Sequence, residues 1–286
     1  IASGDYSIAM GLQNNAEGGG SILQGIQNYS SPLATGGGAF GAHITTNAQV
    51  AFGFGANHQL DADGSFAGGV GHTTSGIASV ALGASIHTIG LASVGLGSGH
   101  VTTGDASFAV GSANAAIGKS SVVMGESSQA IGDYSLASGL FAIAGGQSSL
   151  AFGENVTANG AYSRVFGRNA EVPTGIDGAV VMTDSQAGPI TAVNNDSLSL
   201  RFLNGVGINT TNTAGNALSV VGSGNFSGTV SSNALRVATT TTTNVLSATT
   251  GTITNLTGTA ATYNTFAATD LSSNTGTFSS ILSTLA

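Results

Sequence analysis

The sequence predicts an all-β protein: a parallel β-roll of about 14-residue coils at 1–167, a β-rich connector at 168–222 and a thin β-stalk at 223–286. Three observations predict it. Between Val70 and Gly167 one 14-residue unit is written seven times, as VGHTTSGIASVALG, ASIHTIGLASVGLG, SGHVTTGDASFAVG, SANAAIGKSSVVMG, ESSQAIGDYSLASG, LFAIAGGQSSLAFG and ENVTANGAYSRVFG. A fixed period of this kind marks a stacked repeat architecture. Gly returns every seven residues, and the chain as a whole holds 45 Gly with only 6% charged residues. Apolar residues alternate with small ones just before each closing Gly, which is the period of a strand.

Each unit closes on Gly, at Gly83, Gly97, Gly111, Gly125, Gly139, Gly153 and Gly167. A second Gly holds the seventh place, at Gly76, Gly90, Gly104, Gly118, Gly132, Gly146 and Gly160. Ser79, Ser93, Ser107, Ser121, Ser135, Ser149 and Ser163 hold the tenth. Such a unit cannot be a helix, where each Gly costs about 1 kcal/mol against Ala. Gly suits a tight turn, in which φ is positive. Each coil therefore reads as two short strands joined by two turns. In the clearer strand Val80 and Leu82 flank Ala81, Val94 and Leu96 flank Gly95, and Phe108 and Val110 flank Ala109. The larger pair is expected to face a thin core, and the small residue to allow close approach. Stacked coils would lie about 4.8 Å apart. A roll this thin needs stacking, and neighbouring chains, for stability.

The repeat runs back to the start less regularly. Coil 26–41 has two extra residues around Pro32, which predicts a bulge or outward loop at 28–38. Coil 42–55 lacks both the seventh-place Gly and the tenth-place Ser, and coil 56–69 moves its Gly to Gly64. After Gly167 the pattern breaks at Arg168–Gly175, with Pro173 inside it, and a boundary is expected there. AVVMTD (179–184), SLSLRFL (197–203), GVGIN (205–209) and ALSVV (217–221) read as short connector strands. From 223 the chain is Thr, Ser, Ala and Asn with sparse apolar residues; Thr239–Thr243, Gly251, Gly258 and Gly276 favour β structure over a helical stalk.

SVALG (79–83), SFAVG (107–111), SVVMG (121–125) and SLAFG (149–153), each with its A/T-x-G partner, resemble the head repeat of the trimeric autotransporter adhesins, the YadA-like head. The resemblance implies a left-handed β-roll in which three chains wind side by side. It also implies adhesion to a host surface, matrix or other cells, from the cell surface outward. RFLNGVGINTTNTAGNALSVVG (201–222) resembles a connector of bacterial surface fibres and phage tail fibres. A phage or viral tail fibre is therefore the second reading, and a structural filament or an ice-binding solenoid stands behind it.

Composition narrows the alternatives. Net charge is −8, and the basic residues are Lys119, Arg164, Arg168, Arg201 and Arg236, without a cluster. Binding nucleic acid through phosphates needs one. There is no Cys, so no disulfide and no Cys-ligated zinc. No run of 18 apolar residues occurs. The expected partners are two further copies of the chain and an unidentified host, matrix or cell-surface ligand, with no cofactor.

Five His fall one per coil, at His43, His58, His72, His87 and His100. His58, His72 and His100 share the third place, so stacking would align them into a ladder. Such a row could bind a metal or an anion, or sense pH; the plainer and preferred reading is a surface ladder of polar residues. Asp61-Ala62-Asp63-Gly64 is a fragment of a calcium loop without its further oxygen ligands or closing Glu. AAIGKS (115–120) misses a phosphate loop, because the first Gly of that motif would fall on Ala113. No G-x-S-x-G elbow is present. Paired carboxylates for glycoside cleavage need a cleft that a thin roll does not offer. The chain is therefore expected not to be an enzyme.

Overall fold

The computed structural model describes residues 1–185, 189–208, 218–220, 246–248 and 261–263. The described residues are all β, without a helix. Each regular coil holds a five-residue strand and a two-residue strand. Val80–Ala84 is followed by His87–Thr88, and Val94–Ser98 by Val101–Thr102. Every strand stacks in parallel on its counterpart one coil on, at the same place: Val80 on Val94, Gly83 on Gly97, Thr73 on His87. Fourteen long strands, from Ile8–Leu12 to Leu198–Arg201, make this parallel solenoid.

Two corners turn each coil, and both sit in the left-handed region. Ser85, Ala113, Ser127 and Phe141 hold the first, with φ between 52° and 54°; Ala78, Ala92, Ser120 and Tyr134 hold the second, with φ between 52° and 59°. The two Gly places serve different needs. At the closing place Gly83 has φ +131, and an added Cβ would lie 1.9 Å from the carbonyl oxygen of Gly97. At the seventh place φ is ordinary, but a Cβ on Gly76 would lie 2.0 Å from the oxygen of Gly90. The seventh-place Gly is thus required by close approach between coils, not by the positive φ expected of it.

The facing of the long strand is the reverse of the sequence expectation. The small middle residue points inward: Ala81, Ala109, Val123, Ala137 and Ala151 are fully buried. The larger pair points out, and Leu82, Phe54 and Phe152 are 38%, 42% and 50% exposed. A 14-residue coil is narrow. Its inside is mostly Ala, Ser and Thr, with larger residues such as Leu23, Val123, Val156 and Val165 at single places, and Ile where a facing Gly leaves room. Ile86 fills the space over Gly95, and Ile44 the space over Gly53; a Cβ on either Gly would lie 2.5 or 2.7 Å from the Ile Cγ2.

The apolar core forms two separate clusters. One runs from Ala16 and Leu23 to Leu60 and Ala67, the other from Ala109 and Ala116 to Val181 and Ala192. Between them the interior is largely polar: His72, Thr74, Ser79, Thr88, Ser93, His100 and Thr102 are all buried. Thr88 donates to Ser79 (3.0 Å), and Thr102 to Ser93 (3.2 Å).

The two residues inserted near Pro32 are absorbed in the turn between Tyr29–Ser30 and Gly38–Ala42, since Ile22 pairs with Gly38. Both ladders stay in step on either side. The sheet does not stop at the boundary expected after Gly167. Arg164–Val172 pairs with Val180–Thr183, which pairs with Leu198–Arg201, and Ile190–Thr191 supplies another short strand. Longer turns absorb the irregular spacing, so two stretches expected as connector strands are further coils of the same sheet. Val206–Ile208 and Leu218–Val220 then pair in parallel. The chain divides into two compact units, 1–223 and 224–286. In the second, Leu246–Ala248 pairs in parallel with Ala261–Tyr263; the remainder of the expected stalk lies outside the described residues.

Candidate functional site

The roll offers two outer faces and one buried row of histidines. The outer face of the long strands is apolar along its length: Ile8, Ile22, Phe54, Phe66, Leu82 and Phe152 are each more than a third exposed. Phe40 stacks on Phe54 with centroids 5.0 Å apart, and Phe54 meets Phe66 at 5.5 Å. The sequence carried this signal in the alternation of large and small residues; what it lacked was the coil's width, which decides which face is inside.

The outer face of the short strands is polar in the early coils. The Glu17 carboxylate accepts from Asn15 Nδ2 (2.8 Å) and from the Tyr29 hydroxyl (3.0 Å). That hydrogen bond, with the negative charge beside it, raises the Tyr29 pKa above its usual value. Asp61 accepts from Asn47 Nδ2 (2.7 Å) and Gln59 Nε2 (2.8 Å). Farther along, the same side and its corner turn apolar, with Ile77, Ile89, Leu91 and Ile117 exposed. At the expected outward loop, Leu33 is 72% exposed.

His58, His72 and His100 do not form a surface ladder. They are 2%, 1% and 0% exposed. His58 and His72 stack at 4.9 Å and 8°; Ile86 holds the same place one coil on, between His72 and His100. Each ring uses both nitrogens. Nδ1 accepts a backbone N–H from the next coil: His72 N–H on His58 (3.3 Å), Ile86 N–H on His72 (3.2 Å) and Asn114 N–H on His100 (3.2 Å). The neutral ring's proton is then on Nε2, which donates to the carbonyls of Phe54, Gly68 and Leu96 at 2.9–3.0 Å. Burial lowers the pKa of His58 and His72 below 6.5, and the charges of His58 and His87 add to this at His72. His43 and His87 lie apart from the row, both exposed.

Asparagine makes the same links at the same place elsewhere. Asn28 Oδ1 accepts Ile44 N–H (3.0 Å) while its amide donates to Gln24 and Gly41. Asn114 Oδ1 accepts Ser128 N–H (2.9 Å) and its amide donates to Val110 and Gly125. Where it is polar, the third place is thus a staple between coils, made by Asn, by neutral His or, at Ser128, by a hydroxyl that accepts Ala142 N–H (3.0 Å).

The two carboxylates of the calcium-loop fragment are used locally. Asp61 is held as above, and Asp63 Oδ1 accepts Gln49 N–H (2.8 Å). Asp105 and Asp133 likewise accept the N–H of Leu91 and of Lys119 at the preceding corner. Among the described residues no group of three or more His, Cys, Asp or Glu is placed to hold a metal ion. Gly118 and Lys119, the phosphate-loop near miss, sit at an ordinary repeat corner. A shallow depression of about 280 Å³ is lined by Asn155, Thr157, Asn169, Ala170, Glu171 and Pro189, and so carries a single carboxylate. Beside it Arg168 Nε meets Glu154 at 3.3 Å, both side chains about half exposed. No helix among the described residues is long and apolar enough to cross a membrane.

A family model for the YadA head domain repeat matches the chain in two copies, at residues 2–22 and 116–142. A search of curated proteins gave no match.

Proposed function

We propose that the chain, a parallel solenoid whose repeats resemble the head of the YadA-like trimeric autotransporter adhesins, belongs to an extracellular homotrimeric fibre presenting a non-catalytic adhesive surface. The observation that carries the reading is the apolar outer face of the long strands. It continues from coil to coil with Phe54, Leu82 and Phe152 uncovered, and a stripe of this extent on a single chain marks an interface. A cyclic trimer joins two different patches of each chain. The apolar corner at Ile77, Ile89 and Leu91 supplies a second patch. The polar short-strand face around Glu17, Tyr29 and Asp61 is then left to meet a ligand on a host surface, matrix or another cell.

The state of assembly tests this. Light scattering on the full chain is expected to give three times the 27.7 kDa of one chain. A monomer at micromolar concentration would sink both the adhesin and the tail-fibre readings. Immunogold labelling of the native source separates these two: gold on fibres projecting from a cell envelope supports the adhesin, gold on virus particles the tail fibre.

A further inference from the structure

We propose that His58, His72 and His100 form an acid-sensitive latch in the middle of the roll, because a proton arriving at Nδ1 turns the acceptor that holds the next coil's N–H into a second donor facing it. The geometry leaves little choice. Each ring is buried, each Nε2 already donates to a carbonyl, and each Nδ1 meets a backbone N–H at 3.2–3.3 Å. On protonation both nitrogens are donors. Two N–H groups then oppose each other at 72, 86 and 114, and three coil-to-coil links are lost together.

The place of the row in the molecule sharpens the effect. His72 and His100 lie between the two apolar clusters, where buried Thr and Ser replace aliphatic packing. Asn14, Asn28 and Asn114 hold the same place on either side and do not titrate. Acid would therefore loosen coils 56–114 and leave the flanking coils closed.

Nothing charged nearby counteracts the change. The other titratable groups on the coils packed against the row are His43, His87, Asp61, Asp63, Asp105 and Lys119, and all six are exposed. Asp61 is turned to Asn47 and Gln59, Asp63 to Gln49 and Asp105 to Leu91. His87 would add repulsion toward His72 when charged. The first Lys or Arg in the sequence is Lys119.

The direction with pH follows from burial. The folded pKa values of His58 and His72 lie below the unfolded value of 6.5. Between the two values the unfolded chain holds more protons than the folded one, so stability rises with pH. The contribution is complete above 6.5 and is lost as pH falls from there through the depressed folded values.

Amide hydrogen exchange on the full chain tests the latch, with rates corrected for their intrinsic pH dependence. Between about pH 7.5 and pH 5, protection at the amides of His72, Ile86 and Asn114 is expected to fall roughly tenfold or more relative to those of Ile44 and Ser128, which Asn holds. In the His58→Asn, His72→Asn, His100→Asn triple variant that relative fall should vanish, because Asn supplies the same acceptor without titrating. An unchanged ratio in the wild type, or the same fall in a folded triple variant, overturns the proposal. Should the triple variant not fold, His72→Asn alone decides it: the acid response should disappear at Ile86 and persist at the amide of residue 72, which His58 still holds, and its persistence at Ile86 overturns the proposal.

Discussion

At the scale of single residues the roll is a fitting problem between one Gly and one side chain. Gly95 has ordinary φ, so Ala would be favoured there by the backbone, yet its Cβ would press on Ile86 at 2.5 Å. We expect Gly95→Ala to destabilise the protein by about 1–3 kcal/mol, the usual cost of overpacking. Gly95→Ala with Ile86→Ala, which removes the obstructing Cγ2, should cost less than the sum of the two single changes, a non-additive result that thermal melting of the four-protein cycle would show. Gly83→Ala should not be rescued by any neighbour, since its obstacle is the backbone oxygen of Gly97. The sequence made Gly83 and Gly76 look alike. Only the stacked backbone separates a Gly needed for its φ from a Gly needed for its bareness.

At the scale of the element, the 14-residue coil was legible because every place in it repeats. The period, the two strands and their parallel stacking follow from spacing, and the strands Val180–Thr183 and Leu198–Arg201 were legible as apolar runs within 179–184 and 197–203. The facing of the long strand did not follow. Alternation says that Val80 and Ala81 lie on opposite sides, and it is silent on which side is in. The narrow coil decides that, and it puts Ala81 inside. The histidine row was legible as a row for the same reason, while its burial depends on that same coil width. Because each coil repeats the bonds of its neighbour, removal of 84–97 joins Gly83 to Ser98 in register. The shortened chain is expected to fold, with a circular dichroism spectrum like the parent's. Removal of only 84–90 takes away one corner and the buried Ile86. That chain should yield aggregated or unfolded protein, and a folded product would contradict the single-coil unit.

At the scale of the molecule, the uncovered apolar face sets the state of assembly proposed above. Phe54 and Leu82 lie on that face, and neither contributes to the two apolar clusters inside the roll. Phe54→Glu with Leu82→Glu should therefore lower the mass in solution from three chains toward one. The β signal of the spectrum should remain, or fall only as far as the coils depend on company. Unchanged mass would move the chain–chain contact to another face, with the corner around Leu91 the next to alter.

The division between inside and outside also separates two kinds of change over generations. Stacking is written in the inward Ala and Ser and the buried third place, which an antibody cannot reach on an intact roll, and in closing Gly that show it no side chain. What an antibody meets is the outer set, such as Tyr29, Gln59, His87 and Tyr134. Those places can be rewritten one at a time while the coils close as before, so a population carrying this head could renew what is recognised without renewing what holds it up.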